Sequence, residues 1–327
     1  MRRAIAVAED LVAAAPPASG AIVMGTGIVS IGLSLDGYES LSRALLAIAA
    51  LVWFALAAVL AVLLLRMRPL LRSGARSPAA FTGIAGIDVL GARVAMLGWN
   101  REAAALLAIG LLLWLVLVPY VLAHWQTPTV GVSFVLTVGT ESLAVLGAAL
   151  AIAYDETWLA AAALACVGLG LAFYLFVVSN FELRQLLVGR GDHWVSGGAL
   201  AIATLACART AQAAGALEPL RAAAGSLETA SLGVWAAAFA WLPALLVGEL
   251  VARRGAYDVR RWSTVFPVGM YAACSFAVAK VDAVSGIEDF ARVWIWVAFA
   301  VWLPVFAGLL RRIGSVLASS MVGGRQR

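Results

Sequence analysis

A chain of 327 residues that is 63% hydrophobic, with a mean hydropathy of +0.97, carries more apolar surface than a water-soluble core of its size can hide. A span needs about 20 mostly apolar residues to cross a hydrocarbon layer roughly 30 Å thick, and ten such stretches with short connections use nearly the whole chain. That excludes a sizeable soluble catalytic module, and the net charge of +5 does not point to nucleic acid, because the arginines stand at the ends of the apolar stretches.

Residues 1–17 read as a cytoplasmic N-terminal segment. Ile5 to Ala15 is short and carries Glu9 and Asp10, which suits an interfacial helix better than a cleaved signal peptide, and Pro16-Pro17 ends it. The first span covers 18–35, with Ile22, Thr26 and Ser30 at spacings of four and Gly20, Gly25 and Gly27 nearby. The second, 41–65, is Leu, Ala and Val and runs out into Arg66, Arg68, Arg72 and Arg76. The third, 79–98, holds two charges, Asp88 and Arg93; the fourth, 103–123, holds Trp114 and Pro119. The fifth, 128–151, carries Glu141 and sets Ser133, Thr137, Thr140, Ala144 and Gly147 at spacings of 4, 3, 4 and 3, one face of a helix.

The sixth span, 157–179, is plainly apolar. The seventh, 193–214, follows Asp192 as a helix cap and contains Ser196, Gly197, Gly198 and Thr204. The eighth, 229–251, contains Trp241-Leu242-Pro243, which returns 61 residues later as Trp302-Leu303-Pro304 in the tenth, 290–310. The ninth, 262–281, opens Trp262-Ser263-Thr264-Val265-Phe266-Pro267. There Pro267 removes a backbone donor and predicts a kink, and Phe266 heads a stripe of Met270, Ala273 and Ala277. Residues 312–327 read as a cytoplasmic C-terminal tail, leaving 18–311 as one transmembrane pore domain.

Odd spans are rich in Gly, Ser and Thr; even spans are Leu, Ala, Val and Trp. Repetition every 50 to 70 residues predicts one helical hairpin repeated five times, all inserted in the same sense. The fold expected is an all-α integral membrane protein, ten helices in a pseudo-fivefold ring, odd helices inside and even helices outside. Sixteen basic residues gather on the side of Arg66, Arg184, Arg260 and Arg311. Six, Arg43, Arg101, Arg209, Arg221, Lys280 and Arg292, gather on the other, which places both termini in the cytoplasm.

The hydroxyls of the odd spans suit either the lining of a pore or close helix packing, where small residues let membrane helices approach. A charge at mid-membrane costs roughly 2.5–3.5 kcal/mol on insertion scales, so Asp88, Arg93 and Glu141 each need a partner or water. Arg93 reads either as an attractor of anions or as a salt bridge to Glu141. Lys280 and Arg292 suit a basic mouth or solvated surface charge. Phe266 is a ring that would close a pore sterically and by dewetting. Cys166, Cys207 and Cys274 lie in apolar stretches at no metal-ligand spacing, His124 and His193 stand far apart, and no cofactor motif occurs.

Met24-Gly25-Thr26-Gly27-Ile28-Val29-Ser30 in the first span and Trp262-Ser263 with Phe266-Pro267 in the ninth resemble the tellurite-resistance/dicarboxylate transporter family. Val89-Leu90-Gly91-Ala92-Arg93 and Glu141-Ser142-Leu143-Ala144-Val145 are similar to it as well, so the resemblance runs over all ten spans. The family includes bacterial tellurite-resistance homologues, plant slow anion channels, malate permeases and sulfite exporters. It implies a homotrimer in the cell membrane, each protomer with its own anion pore lined by odd helices and occluded by a phenylalanine, here Phe266. Thr26, Ser30, Ser133, Thr137, Thr140, Ser263 and Met270 are the lining residues expected. The substrates expected are small anions: halide, nitrate or a C4-dicarboxylate. A proton-coupled dicarboxylate carrier cycling a proton on Asp88 or Glu141 is the alternative within transport. An intramembrane enzyme would need those two acids paired, and the reading is therefore a transport protein and not an enzyme.

Overall fold

A computed structural model of the chain describes residues 16–252, 257–282 and 285–323. The interfacial helix expected over 5–15 and the last residues of the tail lie outside them. Among the described residues ten helices have fifteen residues or more: α1 (Gly20–Leu35), α2 (Glu39–Arg66), α3 (Phe81–Ala95), α4 (Asn100–Leu122), α5 (Val135–Tyr154), α6 (Thr157–Val178), α7 (Val195–Ala216), α8 (Arg221–Val251), α9 (Trp262–Asp282) and α10 (Ser285–Gly323). All but α3 and α7 are long and apolar enough by composition to cross a membrane. α3 has 15 residues, about 22 Å of rise, and α7 is diluted by Gly, Ala, Thr and Arg209. Two boundaries differ clearly from expectation: α8 begins at Arg221, ahead of the start expected at 229, and the end of α10 is displaced. α10 does not stop at Arg311-Arg312 but runs to Gly323, because neither a proline nor a glycine pair follows Arg312 before Gly323-Gly324.

Burial separates the helices into two sets. In the most apolar stretches of α1, α5 and α9 with their leading turns, 83%, 89% and 94% of residues are buried; in α2, α4, α6, α8 and α10 the share is between 6% and 28%. Leu65 and Leu250, both on even helices, are more than two-thirds exposed, as suits a surface that meets lipid. Contacts run α1 to α3, α3 to α5, α5 to α7, α7 to α9, and α9 back to α1, so the odd helices close a cycle. Each even helix packs on the odd helix before it and also touches the odd helix after it.

Local sequence explains how the chain turns. Every odd helix is led by a 3-10 turn: Pro17–Ser19, Pro78–Ala80, Gly131–Phe134, Asp192–Trp194 and Val259–Arg261. Ser77 caps the second by accepting from the Ala79 amide, and Asp258 caps the last by accepting from the Arg260 amide at 3.0 Å. The Arg260 guanidinium also grips Asp258, holding its carboxyl below the usual range. At the other ends, α1, α3 and α5 stop on left-handed residues, Gly37, Gly98 and Asp155. The following amide then reaches back five residues, Tyr38 to Leu33, Trp99 to Val94 and Glu156 to Ala151, closing the helix and reversing the chain.

Glycine brings inner helices together where nothing larger fits. A Cβ on Gly20 would stand 2.5 Å from the Thr82–Gly83 backbone, and one on Gly198 would stand 2.7 Å from the Pro267 ring. Outer helices are tied to the next inner helix by polar contacts. The indole of Trp114 (α4) donates to Thr140 (α5) at 2.9 Å, that of Trp235 (α8) to Ser275 (α9) at 2.9 Å, and that of Trp302 (α10) to Thr26 (α1) at 3.1 Å. Between α2 and α3 the same place is taken by Arg93, which donates to the Ser42 hydroxyl at 2.9 Å.

The turns make a paired prediction. Gly98→Val, which puts a β-branched residue in the left-handed region, should lower the thermal midpoint in detergent by the equivalent of about 1–2 kcal/mol. Asp155→Gly, which removes a Cβ from the same conformation, should not lower it. Equal effects would contradict the assignment of these turns.

Candidate functional site

The odd helices meet on a void of about 10 Å³, roughly the room for one water molecule. All five contribute to its wall: Ile28 and Ile31 from α1, Asp88, Val89 and Ala92 from α3, Ser142 and Val145 from α5, Leu205 from α7 and Met270 from α9. Only Asp88 and Ser142 are polar. The Ser142 hydroxyl donates to Asp88 Oδ2 at 2.8 Å, and Asp88 Oδ1 has no hydrogen-bond partner.

Helical spacing extends this wall along the axis. On α9, Ser263 and Phe266 precede Met270 by seven and four residues and share its face; both are buried, Phe266 completely. On α5, Val135 and Val138 precede Ser142 by the same intervals. On α7, Arg209 and Gln212 follow Leu205 by four and seven. The void is thus bordered by Ile, Val, Ala, Leu and Met side chains and by the Asp88–Ser142 pair, and Phe266 shares the helix face of Met270.

Several residues expected to line a pore stand elsewhere. Thr26 and Thr140 accept the indole protons of Trp302 and Trp114, so their hydroxyls face outer helices. Ser30 exchanges hydrogen bonds with Ser42 of α2, each hydroxyl near the other's carbonyl at 2.7 and 2.6 Å. Ser133 belongs to the turn leading α5, where its hydroxyl accepts from the Val130 amide. Thr137 is buried and its hydroxyl has no partner. Of the fifth-span stripe, Gly147 faces Ala163 of α6, so the stripe marks helix packing more than an aqueous lining. Pro267 lies inside α9, its ring against Gly198 of α7.

The charges also differ from expectation. Arg93 does not pair with Glu141. It is buried, and its Nη2 donates to both carboxylate oxygens of Glu39 at 2.8 Å, so its charge is answered by α2 and not offered to the axis. Glu141 is buried against Gly170 of α6 and neither oxygen has a hydrogen-bond partner. Asp88 is seated the same way against Gly110 of α4. Asp88 thus borders the central void as well as α4, whereas Glu141 lies in the cleft towards α6, and no hydrogen bond joins the two acids as an acid–base pair would require. Arg292 is held by Glu288 at 2.7 Å, while Lys280 is exposed.

His124 is exposed beside the Tyr120 carbonyl, and His193 is buried near Glu249. No cluster able to hold a metal ion occurs among the described residues, and the three cysteines are free thiols. The void-lining residues missed from sequence are the aliphatic ones and Ser142. An amphipathic search finds hydroxyls, but a neck that excludes water is built from Ile, Val and Leu. Counting helical intervals back and forward from Met270 and Leu205 would have found them.

Arg93→Gln should lower the thermal midpoint by the equivalent of about 1–2 kcal/mol, since it removes the hydrogen bonds to Ser42 and Glu39 while Glu39 keeps Arg43, and should leave anion-over-cation selectivity unchanged. A selectivity change at unaltered stability would return Arg93 to the axis.

A family model described as voltage-dependent anion channel matches residues 14–310. Two proteins named as uncharacterized membrane proteins of Mycobacterium tuberculosis, MT1776 of strain CDC 1551 / Oshkosh and Rv1735c of strain ATCC 25618 / H37Rv, are each 29% identical over 133 residues. That stretch is 39% of this chain and 67% of theirs. The resemblance carried by the first and ninth spans is thereby borne out, and with it a role in moving anions across a membrane and not in catalysis. The chain belongs to the voltage-dependent anion channel family.

Proposed function

We propose that this protein is a membrane pore for small monovalent anions, running through the middle of the odd helices and closed at Phe266. In this reading all ten helices cross the membrane, as five tandem hairpins around a pseudo-fivefold axis within residues 18–311. The protein sits in the cell membrane with both termini cytoplasmic, and three copies assemble, each with its own path. The single observation that carries the reading is that all five odd helices contribute side chains to one central void. Their closed cycle of contacts and the arginines grouped at one end of the helices support it further.

The chemistry of the path follows from its wall. A neck mostly of Ile, Val, Leu, Met and Phe, with Asp88 and Ser142 as its polar members and room for one water, holds no continuous water column, so ions do not pass while the rings and branched chains stay in place. Removing the largest of them widens the neck without touching a charge. Selectivity then comes from the cost of shedding water, which is lower for nitrate or iodide than for chloride. A C4-dicarboxylate would need two cationic groups facing one cavity, and Arg93 is already occupied by Glu39.

In a planar bilayer, Phe266→Ala should carry an anion current about tenfold or more above the wild type, reversing with the nitrate gradient and larger for nitrate than for chloride. Equal currents in the two proteins would remove Phe266 as the gate. A cation-selective current would contradict the pore.

A further inference from the structure

We propose that Arg209 and Gln212 form a binding site for a small monovalent anion at one mouth of the axial path. The site deepens the pore reading and rests on it for the direction in which α7 faces. From Val195 to Ala211 every residue of α7 is buried except Arg209, and Gln212 is the next residue with any exposure. α5, α6, α8 and α9 all pack against α7, so the direction left open is the ring interior. Leu205, which lines the central void, fixes that face, and Arg209 and Gln212 continue it at intervals of four and seven residues. Arg209 stands about 6 Å along the axis from Leu205, and about 10 Å in from the end of α7.

The donor set defines the ligand class. Arg209 Nη1 donates to Gln212 Oε1 at 3.1 Å, and no carboxylate lies within ion-pair distance of the guanidinium among the described residues. That contact uses the amide oxygen and leaves the amide NH₂ as the free end of Gln212. Together they present several N–H donors and one uncompensated positive charge, the Gln212 amide oxygen being turned to the guanidinium. An arginine at such depth normally has a partner, as Arg93 has Glu39. Here the missing partner is a mobile anion. One positive charge suits chloride or nitrate and is insufficient for a dianion. An anion held there has exchanged part of its water for N–H donors directly before the apolar neck, which is where dehydration is required.

Chloride is the probe, and the test is broadening of its NMR signal by the purified full-length wild-type protein in detergent. The excess linewidth, displaceable by nitrate, should fall about fivefold or more in Arg209→Gln and stay within about twofold of wild type in Arg209→Lys, which keeps the charge. Circular dichroism checks that each variant retains its helix content. If Arg209→Gln does not fold, Gln212→Leu takes its place and should reduce the broadening at least about twofold. No broadening by wild type, or broadening unchanged by the substitution, overturns the site. The two claims separate cleanly. Broadening that depends on Arg209 alongside a cation-selective current in Phe266→Ala keeps the site and ends the pore. A current in Phe266→Ala whose half-saturating chloride concentration is untouched by adding Arg209→Gln, with no Arg209-dependent broadening, does the reverse.

Discussion

In lipid, burying apolar side chains does not drive helices together, because the surrounding chains are as apolar as leucine; close packing and hydrogen bonds between helices must do it. Here four of the five places where an outer helix meets the inner helix that follows it carry such a bond. Trp114 binds Thr140, Trp235 binds Ser275, Trp302 binds Thr26, and Arg93 reaches back to Ser42 and Glu39. Each contributes on the order of 0.6–2 kcal/mol, but their placement matters more than their sum. Every such bond bridges two hairpins, so the joints lie between repeats. The Trp302–Thr26 bond joins the last hairpin to the first and closes the cycle.

This use of hydroxyls decides what remains for the centre. Thr26, Ser30 and Thr140 are spent on outer helices, and the void is walled by Ile28, Ile31, Val89, Ala92, Val145, Leu205 and Met270, with Asp88 and Ser142 bonded to each other among them. A centre made that way is dry and narrow. Glycines then let the backbones approach, Gly20 on Thr82 and Gly198 on Pro267, and keep the void to the size of one water. In the proposed pore, resistance to permeation follows from the same packing that holds the odd helices together. The buried acids fit this division. Asp88 and Glu141 each sit against a glycine of their own outer helix, away from any partner that would make them a catalytic pair.

Much of the architecture was legible in the sequence. Alternation of small-residue and Leu-rich stretches separated buried from exposed helices, and the helix ends at Gly37 and Gly98 are marked by glycine. The lining was not legible. Thr137, Thr140 and Ser133 lie on one helical stripe, yet the first has no partner, the second meets an indole and the third caps a turn. Periodicity finds a face but not what it faces. Likewise Trp241-Leu242-Pro243 repeats Trp302-Leu303-Pro304 in letters, but in the eighth helix it is Trp235 that makes the corresponding bond. The Arg93–Glu39 pair is separated by 54 residues and joins two hairpin ends, so proximity along the spans pointed wrongly to Glu141.

The central claim is that the aliphatic face of the odd helices, and not their hydroxyl face, borders the ion path. Cysteine accessibility tests it directly, in a protein whose Cys166, Cys207 and Cys274 have been replaced by alanine and whose gate is opened by Phe266→Ala. Single cysteines at Leu205, Val145 and Thr140 are exposed to a charged, membrane-impermeant thiol reagent while the anion current is recorded. The account predicts that Leu205→Cys and Val145→Cys are modified and the current blocked, while Thr140→Cys is inert. Block at Thr140→Cys with silence at the other two would contradict it.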